Sequence, residues 1–470
     1  AEAEAAVACA TGVGGSTSDS AVARFVVQFE SSGRWPDDLE AVAALKTAFY
    51  LKLADLLEAQ AAPIRCEPRR GGLVVLVDGL PLLGTIMHRK EGKLLTESGD
   101  AAGAVALALA TSAGVAHTAA MHVIASKNAA FGPTARLVKR WLHCQLCSGT
   151  FRPQLVELLV AYLFSPAAIR PPGSAFVGFL RFLALLSSHD FAQEPLIVQL
   201  AEELSPDVRA TAQRVFSATR EAHATASSAI WVATEKEPEG SVWCIAGPSV
   251  ELVRRAQRLA ASALSQLQQA TSHATIASSR LVGSTSLGSN LATDEDISAK
   301  AMRVFMPPWQ EFDALLHLDE SQVPHGELRL ATKDSRLPVA TSRKYANLRP
   351  SPDAVTVLVR SLREAYEPLA LFFYDVHGGD TIAVKWKPHA FLPRAFRPDT
   401  DVASIVVQRV MAKQQTPKST SNRKGGFGEA GWLLPNVPEI LEEMRELGAG
   451  IIIQLSLPSG GSQHIAHALK

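Results

Sequence analysis

The middle of this chain, from Pro133 to about Ala270, carries helical signals almost throughout, whereas strand signals occur mainly before and after it. Prolines mark the boundaries of the predicted helices: Pro133 and Pro248 stand where helices begin, and Pro166 interrupts the pattern between two of them. Proline fits the first turn of a helix, but inside a helix it removes a backbone hydrogen bond. The sequence therefore predicts a helical module between two mixed modules, and the fold class is α+β.

The first mixed module opens with a strand-like run, Ala23 to Phe29. Pro36, Asp37 and Asp38 then predict the start of a helix, because proline suits the first turn and acidic side chains favour the positive end of the helix dipole. Leu73 to Val77 is apolar at every position, as expected of a buried strand, and alanine-rich helix follows it by about residue 120.

Two hairpins and a linker are predicted in the rest of the chain. One hairpin joins Ala229–Ala233 to Ser241–Ile245. A linker is predicted for residues 271–299, because this segment is rich in small polar residues and lacks periodicity. The second hairpin, Leu371–Tyr374 with Thr381–Trp386, lies in the last module, and a final helix is predicted from Val437 to Leu447.

Composition limits the classes of partner. Lys+Arg and Asp+Glu each number 46 in 470 residues, so any contact with nucleic acid must come from local basic patches. Five scattered cysteines do not form a secreted disulfide framework and favour a reducing compartment. Ala101–Ala116 and Phe176–Leu186 are too short to span a membrane, so no membrane partner is expected. The chain begins with Ala rather than Met, which indicates a fragment.

One acidic motif invites a catalytic interpretation. Gly283-Ser284 precedes Asp294-Glu295-Asp296, and nucleotidyltransferases hold Mg²⁺ between two carboxylates on alternate strand positions. The motif lies in the predicted linker, Glu295 stands where an apolar residue is needed, and no third carboxylate follows on a strand. We therefore expect no catalytic residues, and an active Mg²⁺-dependent nucleotidyltransferase using Asp294 and Asp296 remains the alternative.

Two further groups of residues are interpreted as structural rather than as metal-binding or catalytic. Cys144 and Cys147, beside His143, have the spacing of half a zinc site, but a structural zinc needs four ligands and no second pair exists, so no metal site is expected. Asp375 and His377 stand beside a Gly-Gly turn; a turn that needs positive φ explains the glycines, and no nucleophile or second base stands nearby in sequence.

Basic residues form two candidate RNA-binding surfaces. Arg136, Lys139, Arg140 and His143 share one face of a predicted helix, opposite an apolar face, and such a stripe can lie along a phosphate backbone. A solvated face or intramolecular ion pairs would give the same pattern. A second set lies in a basic segment of low complexity, residues 410–431, where a solubilising loop competes with an RNA-binding tail. Its members are Lys413, Lys418, Arg423 and Lys424.

Several runs in this sequence resemble segments of the nucleolar RNA-associated protein (Nrap) family, also called the nucleolar protein six family. They occur in the family's order and reach from about residue 25 to 455. The runs are Phe29–Asp38, Gly132–Trp141, Gly178–Leu183, Glu194–Val198, Ser241–Trp243, Gly247–Ser249, Ala370–Asp375, His377–Gly379 and Trp386–Pro388. The segment after Val77 is shorter than in the family, and 271–299 and 410–431 look like insertions.

The resemblance implies a nucleolar component of the small-subunit processome that acts in maturation of pre-ribosomal RNA. It implies that the chain covers the second of two nucleotidyltransferase and poly(A)-polymerase-like modules, plus the terminal domain. The partners it implies are pre-ribosomal RNA, a small nucleolar ribonucleoprotein particle, a ribosomal-RNA-processing heterodimer partner and casein kinase subunits.

The resulting expectation is a non-catalytic scaffold without a cofactor in the nucleus and nucleolus, and a protein-only adaptor without RNA contact is a further alternative. The predicted organisation is a disordered terminus, a degenerate nucleotidyltransferase-like domain, a helical poly(A)-polymerase/OAS-like domain, a linker, a mixed α+β terminal domain and a tail. The corresponding ranges are 1–20, 21–120, 121–272, 273–300, 301–456 and 457–470.

Overall fold

The computed structural model describes most of the two mixed modules and the helical middle. The described residues are 23–29, 35–60, 64–69, 71–77, 80–147, 151–165, 170–200, 205–222, 229–244, 247–281, 302–323, 354–391, 394–395, 404–407 and 432–458. They fall into two compact units, with the first ending at Pro307 and the second beginning at Pro308.

The first unit opens with a four-stranded sheet. Its strands are β1 (Ala23–Gln28), β2 (Arg65–Arg69), β3 (Gly72–Val77) and β4 (Leu80–Met87). They lie in the order β1-β4-β3-β2, with β1 parallel to β4 and the other pairs antiparallel. Helix α1 (Leu39–Gln60) packs on this sheet, and the Tyr50 hydroxyl accepts a hydrogen bond from the Ile86 amide at 3.0 Å. The strand, the helix and the buried strand predicted for this module are confirmed.

Helices form the rest of the first unit and enclose one large apolar core. In chain order they are α2 (Glu91–Glu97), α3 (Ala101–Ala110), α4 (Ser112–Lys127), α5 (Phe131–Cys144), α6 (Pro153–Leu163), α7 (Ala175–Ser188), α8 (Pro206–Ala222), α9 (Ser241–Cys244) and α10 (Val250–Leu281). Two short strands, β5 (Leu196–Val198) and β6 (Val232–Thr234), pair in parallel among them. The helical middle predicted from the prolines is confirmed.

The hairpin predicted for Ala229–Ala233 and Ser241–Ile245 is wrong. Val232 to Thr234 pairs instead with β5, far back in the chain, and Ser241 to Cys244 is the short helix α9. Residues 229–233 have the buried, apolar character of a strand, but the partner of a strand is not fixed by its own sequence. Pairing with β5 buries both short segments in the helical core.

The linker predicted from residue 271 also begins too early. Helix α10 continues to Leu281, and residues 282–299 lie outside the described part of the chain. Up to Ala270 the buried positions of α10 recur every three or four residues, and small side chains there allow a close approach to α7. The helix thus extends beyond the segment where a hydrophobic period is readable.

Within the described residues, no single helix has the length and apolar composition needed to cross a membrane. Helices α3 and α4 meet that criterion only when they are taken together, as a bent pair.

The second unit contains another four-stranded sheet. Its strands are β7 (Ala314–Leu318), β8 (Ala370–Tyr374), β9 (Thr381–Trp386) and β13 (Ile452–Ser456), in the antiparallel order β13-β7-β9-β8. Helices α11 (Ala354–Ala365) and α12 (Val437–Leu447) pack against it. A small sheet adds β10 (Arg394–Ala395), β11 (Ser404–Val407) and β12 (Trp432–Pro435), in the order β10-β12-β11. The predicted hairpin and the predicted last helix are both confirmed.

A buried acid joins two strands of this second sheet. Asp313, just before β7, has a side chain with no exposed surface. One of its oxygens lies 3.1 Å from the Lys385 ammonium, and the other accepts a hydrogen bond from the Trp386 amide at 2.9 Å. Because the acid binds the backbone of β9 as well as a side chain, it helps to fix the position of β9 relative to β7.

Candidate nucleic-acid interface

The basic helix identified from the sequence is α5, and its two faces differ sharply in exposure. Val138, Trp141 and Leu142 are buried, as predicted, whereas Arg136 and Arg140 are exposed. Arginines four residues apart lie one turn from each other on a helix surface, so both can approach one phosphate backbone. The two arginines therefore share the exposed face of α5.

Close packing against α7 holds α5 in place. The Trp141 ring is fully buried and meets Phe179 and Phe182 edge to face, with centroid distances of 6.2 and 6.5 Å. At the crossing of the helices, Gly178 faces Thr134, and a Cβ on Gly178 would come within 2.3 Å of the Thr134 hydroxyl. Because the exposed arginines stand on a helix that is rigidly packed on its other side, the surface they form is preorganised.

Lys139 is half-buried, unlike the two exposed arginines. Its ammonium forms an ion pair with Glu157 of α6, and the same carboxylate accepts a hydrogen bond from His117 Nε2 of α4 at 2.6 Å. Burial tends to raise the pKa of Glu157, but the bond to His117 and the charge of Lys139 together lower that pKa below its ordinary value. The sequence left open whether the basic residues of this helix form ion pairs within the protein. Lys139 does form one.

Glu157 and His117 did not emerge from the sequence as residues of this surface. Glu157 is the one charged residue of α6, and His117 lies in an apolar stretch of α4. A single acid inside an apolar helix indicates a buried partner of opposite charge, since an unpaired buried charge is strongly unfavourable. That signal was present, but it did not identify Lys139 as the partner.

The Cys144–Cys147 pair lies at the end of α5, and both side chains are buried. The chain leaves the helix through Leu146, which has a φ of 56°. Cys147 Sγ receives a hydrogen bond from the Arg255 guanidinium at 3.4 Å. Nowhere in the described residues do three or more His, Cys, Asp or Glu side chains cluster as metal ligands would. Both cysteines are thus buried side chains of the first unit.

The first sheet contains few groups that could bind a catalytic metal. Strands β1 to β4 hold a single carboxylate among them, Glu67 of β2. Glu67 lies 3.2 Å from the Arg69 guanidinium. Asp294 and Asp296, the alternative catalytic pair, lie outside the described residues.

Asp375 and His377 form a turn in the second unit. The Asp375 carboxylate accepts a hydrogen bond from the His377 amide at 3.0 Å, and Gly378 has a φ of 94°. The positive φ expected of a glycine in this turn is confirmed. Lys413, Lys418, Arg423 and Lys424 all lie outside the described part of the chain.

Three domain models of one family match the chain in succession. Residues 8–125 match Nrap protein nucleotidyltransferase domain 4, residues 128–283 match Nrap protein PAP/OAS1-like domain 5, and residues 309–455 match Nrap protein domain 6. The basic helix α5 thus falls in the PAP/OAS1-like match, and Asp294 and Asp296 fall between two matches.

Curated relatives match along nearly the whole chain. Nucleolar protein 6 of Mus musculus is 32% identical over 447 residues, which cover 91% of this chain and 34% of that protein. Nucleolar protein 6 of Homo sapiens is 31% identical over 446 residues, and that of Xenopus tropicalis is 30% identical over 455 residues; each alignment covers 91% of this chain and 35% of the relative. The chain spans about a third of the length of the curated relatives it matches.

Proposed function

The chain belongs to the Nrap family, and from this premise we propose that it acts in the nucleolus as a non-catalytic scaffold of ribosome biogenesis. In the proposed role it binds pre-ribosomal RNA and protein partners within the small-subunit processome and holds them in place without turnover. The partners are those that the family resemblance implies, including a small nucleolar ribonucleoprotein particle, a ribosomal-RNA-processing partner and casein kinase subunits.

The observation that carries this proposal is the composition of the first sheet. Nucleotidyl transfer with two metal ions needs several carboxylates held together on a rigid framework. In the domain that matches a nucleotidyltransferase model, the described strands carry only Glu67, which pairs with Arg69. A fold of this kind keeps its shape and its surfaces, and these are what a scaffold uses.

A primer-extension assay tests the absence of catalysis. The full chain is incubated with Mg²⁺, radiolabelled nucleotide and an RNA primer, and we expect no extension. Extension that is lost in both Asp294→Ala and Asp296→Ala would instead establish the alternative, an Mg²⁺-dependent nucleotidyltransferase.

The exposed arginines of α5 support RNA contact, and salt dependence measures it. Each phosphate contact on a single strand contributes about 0.7 to the slope of log K against log salt. Changing Arg136 and Arg140 together to Gln should therefore reduce the slope by about 1.4, measured by fluorescence anisotropy with a labelled single-stranded RNA.

A matched control comes from α10, where Arg254 and Arg258 are also exposed and also four residues apart. The same double change there removes the same charge and should leave the slope nearly intact. If the α5 variant also leaves the slope unchanged, the protein-only adaptor is the better description.

A further inference from the structure

We propose that Glu157 withdraws Lys139 from the RNA-facing side of α5 and so sets the number of cations that this helix offers to phosphates. Arg136 and Arg140 are then the phosphate-binding pair, and Lys139 makes no phosphate contact while Glu157 holds its ammonium group. The inference rests on the proposed RNA contact and specifies the chemistry of that same surface.

Both oxygens of Glu157 are engaged in the structure. One oxygen accepts a hydrogen bond from the Lys139 ammonium, and the other accepts one from His117 Nε2 at 2.6 Å. Because an ionised carboxylate can only accept hydrogen bonds, the bond to Nε2 requires a proton on that nitrogen. The three side chains come from α4, α5 and α6, so the cluster ties three helices together.

Burial makes this ion pair hard to replace by a phosphate contact. The Glu157 side chain is 25% exposed and the Lys139 side chain 29%. If Lys139 turned to a phosphate in water, it would leave a largely buried carboxylate without its cation. A new ion pair at the exposed surface contributes little, so the exchange is unfavourable while Glu157 keeps its charge.

The position of Lys139 in α5 makes it a potential third contact. It stands three residues after Arg136 and directly before Arg140. Residues three apart are surface neighbours on a helix, so a released Lys139 can reach the phosphate backbone that Arg136 contacts. While the Glu157 carboxylate holds Lys139, α5 offers two cations to phosphates. Without that carboxylate it would offer three.

Glu157→Gln in the full chain tests the inference as a gain of binding. The glutamine oxygen can still accept from His117, but the neutral amide no longer holds the Lys139 ammonium. With a labelled single-stranded RNA, the salt slope should rise from the value for two α5 contacts to that for three, an increase of about 0.7.

Two further variants separate release of Lys139 from a general change in charge. Adding Lys139→Gln to Glu157→Gln should cancel the increase, whereas Glu194→Gln, at an exposed acid outside this cluster, should leave the slope at the wild-type value. An increase that survives in the double variant would overturn the inference, because Lys139 would not be its source.

Lys139→Gln alone gives a result even if Glu157→Gln folds poorly. The wild-type slope should not change in this variant, since Lys139 makes no phosphate contact, and a fall of about 0.7 would overturn the inference. The failure of the proposed function is distinct: in that case the Arg136→Gln/Arg140→Gln variant keeps the wild-type slope whatever happens at Glu157.

Discussion

Asp313 in the second unit and Glu157 in the first each form an ion pair with a lysine, but the two acids are bound differently. Asp313 is completely buried and accepts a hydrogen bond from the backbone amide of Trp386 as well as contacting Lys385. Glu157 is a quarter exposed, and among the described residues its partners are the side chains of His117 and Lys139.

The two acids differ because one binds a backbone amide, whereas the other binds side chains. An acid that binds a backbone amide determines where a strand lies, and its loss leaves a buried donor unsatisfied. An acid that binds side chains of neighbouring helices restrains those side chains, and their charges can be redistributed without moving the backbone. The first arrangement mainly serves the fold, and the second controls which charges reach the surface.

The largest effect is expected for Asp313→Ala. The change removes the acceptor of the Trp386 amide and the carboxylate that Lys385 contacts, and breaking a buried pair in this way costs about 3–5 kcal/mol. Because the Lys385 side chain is 38% exposed, the lower end applies. Chemical denaturation measures the loss, and hydrogen exchange should show faster exchange along β9. Unaltered exchange there would mean that Asp313 does not fix the strand.

A smaller loss is expected for Glu157→Ala. It leaves His117 Nε2 buried without an acceptor, while the partly exposed Lys139 regains water, so the cost is about 1–3 kcal/mol. Denaturation together with hydrogen exchange in α4, α5 and α6 measures the effect. A cost equal to that of Asp313→Ala would remove the distinction between the two acids.

The pH dependence of stability should also identify Glu157. Its pKa is lower in the folded protein than the ordinary value of 4.5, so its ionised form adds stability that is complete above about 4.5. That stability is lost as the pH falls through the lower folded pKa. The difference in Tm between the wild type and Glu157→Gln should therefore shrink below pH 4.5. A difference that grows on acidification would contradict this sign.

The smallest effect is expected at an exposed pair. Glu442 and Arg445 lie three residues apart on α12, with both side chains about half exposed. Water already solvates both charges, so Glu442→Gln should not change the Tm measurably. This variant is the reference for the other three, because a clear loss of stability here would show that removing any acid is destabilising.

The sequence predicted those elements whose signals are local. The hairpin of β8 and β9 follows from two apolar runs around a Gly-Gly turn, and α12 follows from periodicity after Pro438. The pairing of β5 with β6 could not be predicted in the same way, because the two strands are separated by helix α8. Parallel pairing depends on how the helices between the strands pack.

The candidate site was predicted only in part, for a related reason. Helical periodicity is enough to place Arg136 and Arg140 on the exposed side of α5. The same periodicity placed Lys139 with them, but its partner stands on another helix. Which charges remain available to a ligand is decided by tertiary contacts, and a single sequence does not specify these.

The crossing of α5 and α7 limits which amino-acid replacements this surface can accept during evolution. A methyl group at Gly178 would come within 2.3 Å of the Thr134 hydroxyl, so α5 could stay in place only if Thr134 became smaller as well. In sequences that keep the arginine pair, a larger residue at position 178 should therefore occur only together with a smaller one at position 134. The placement of two surface charges thus depends on the side-chain volume of a pair of residues that never meet the ligand.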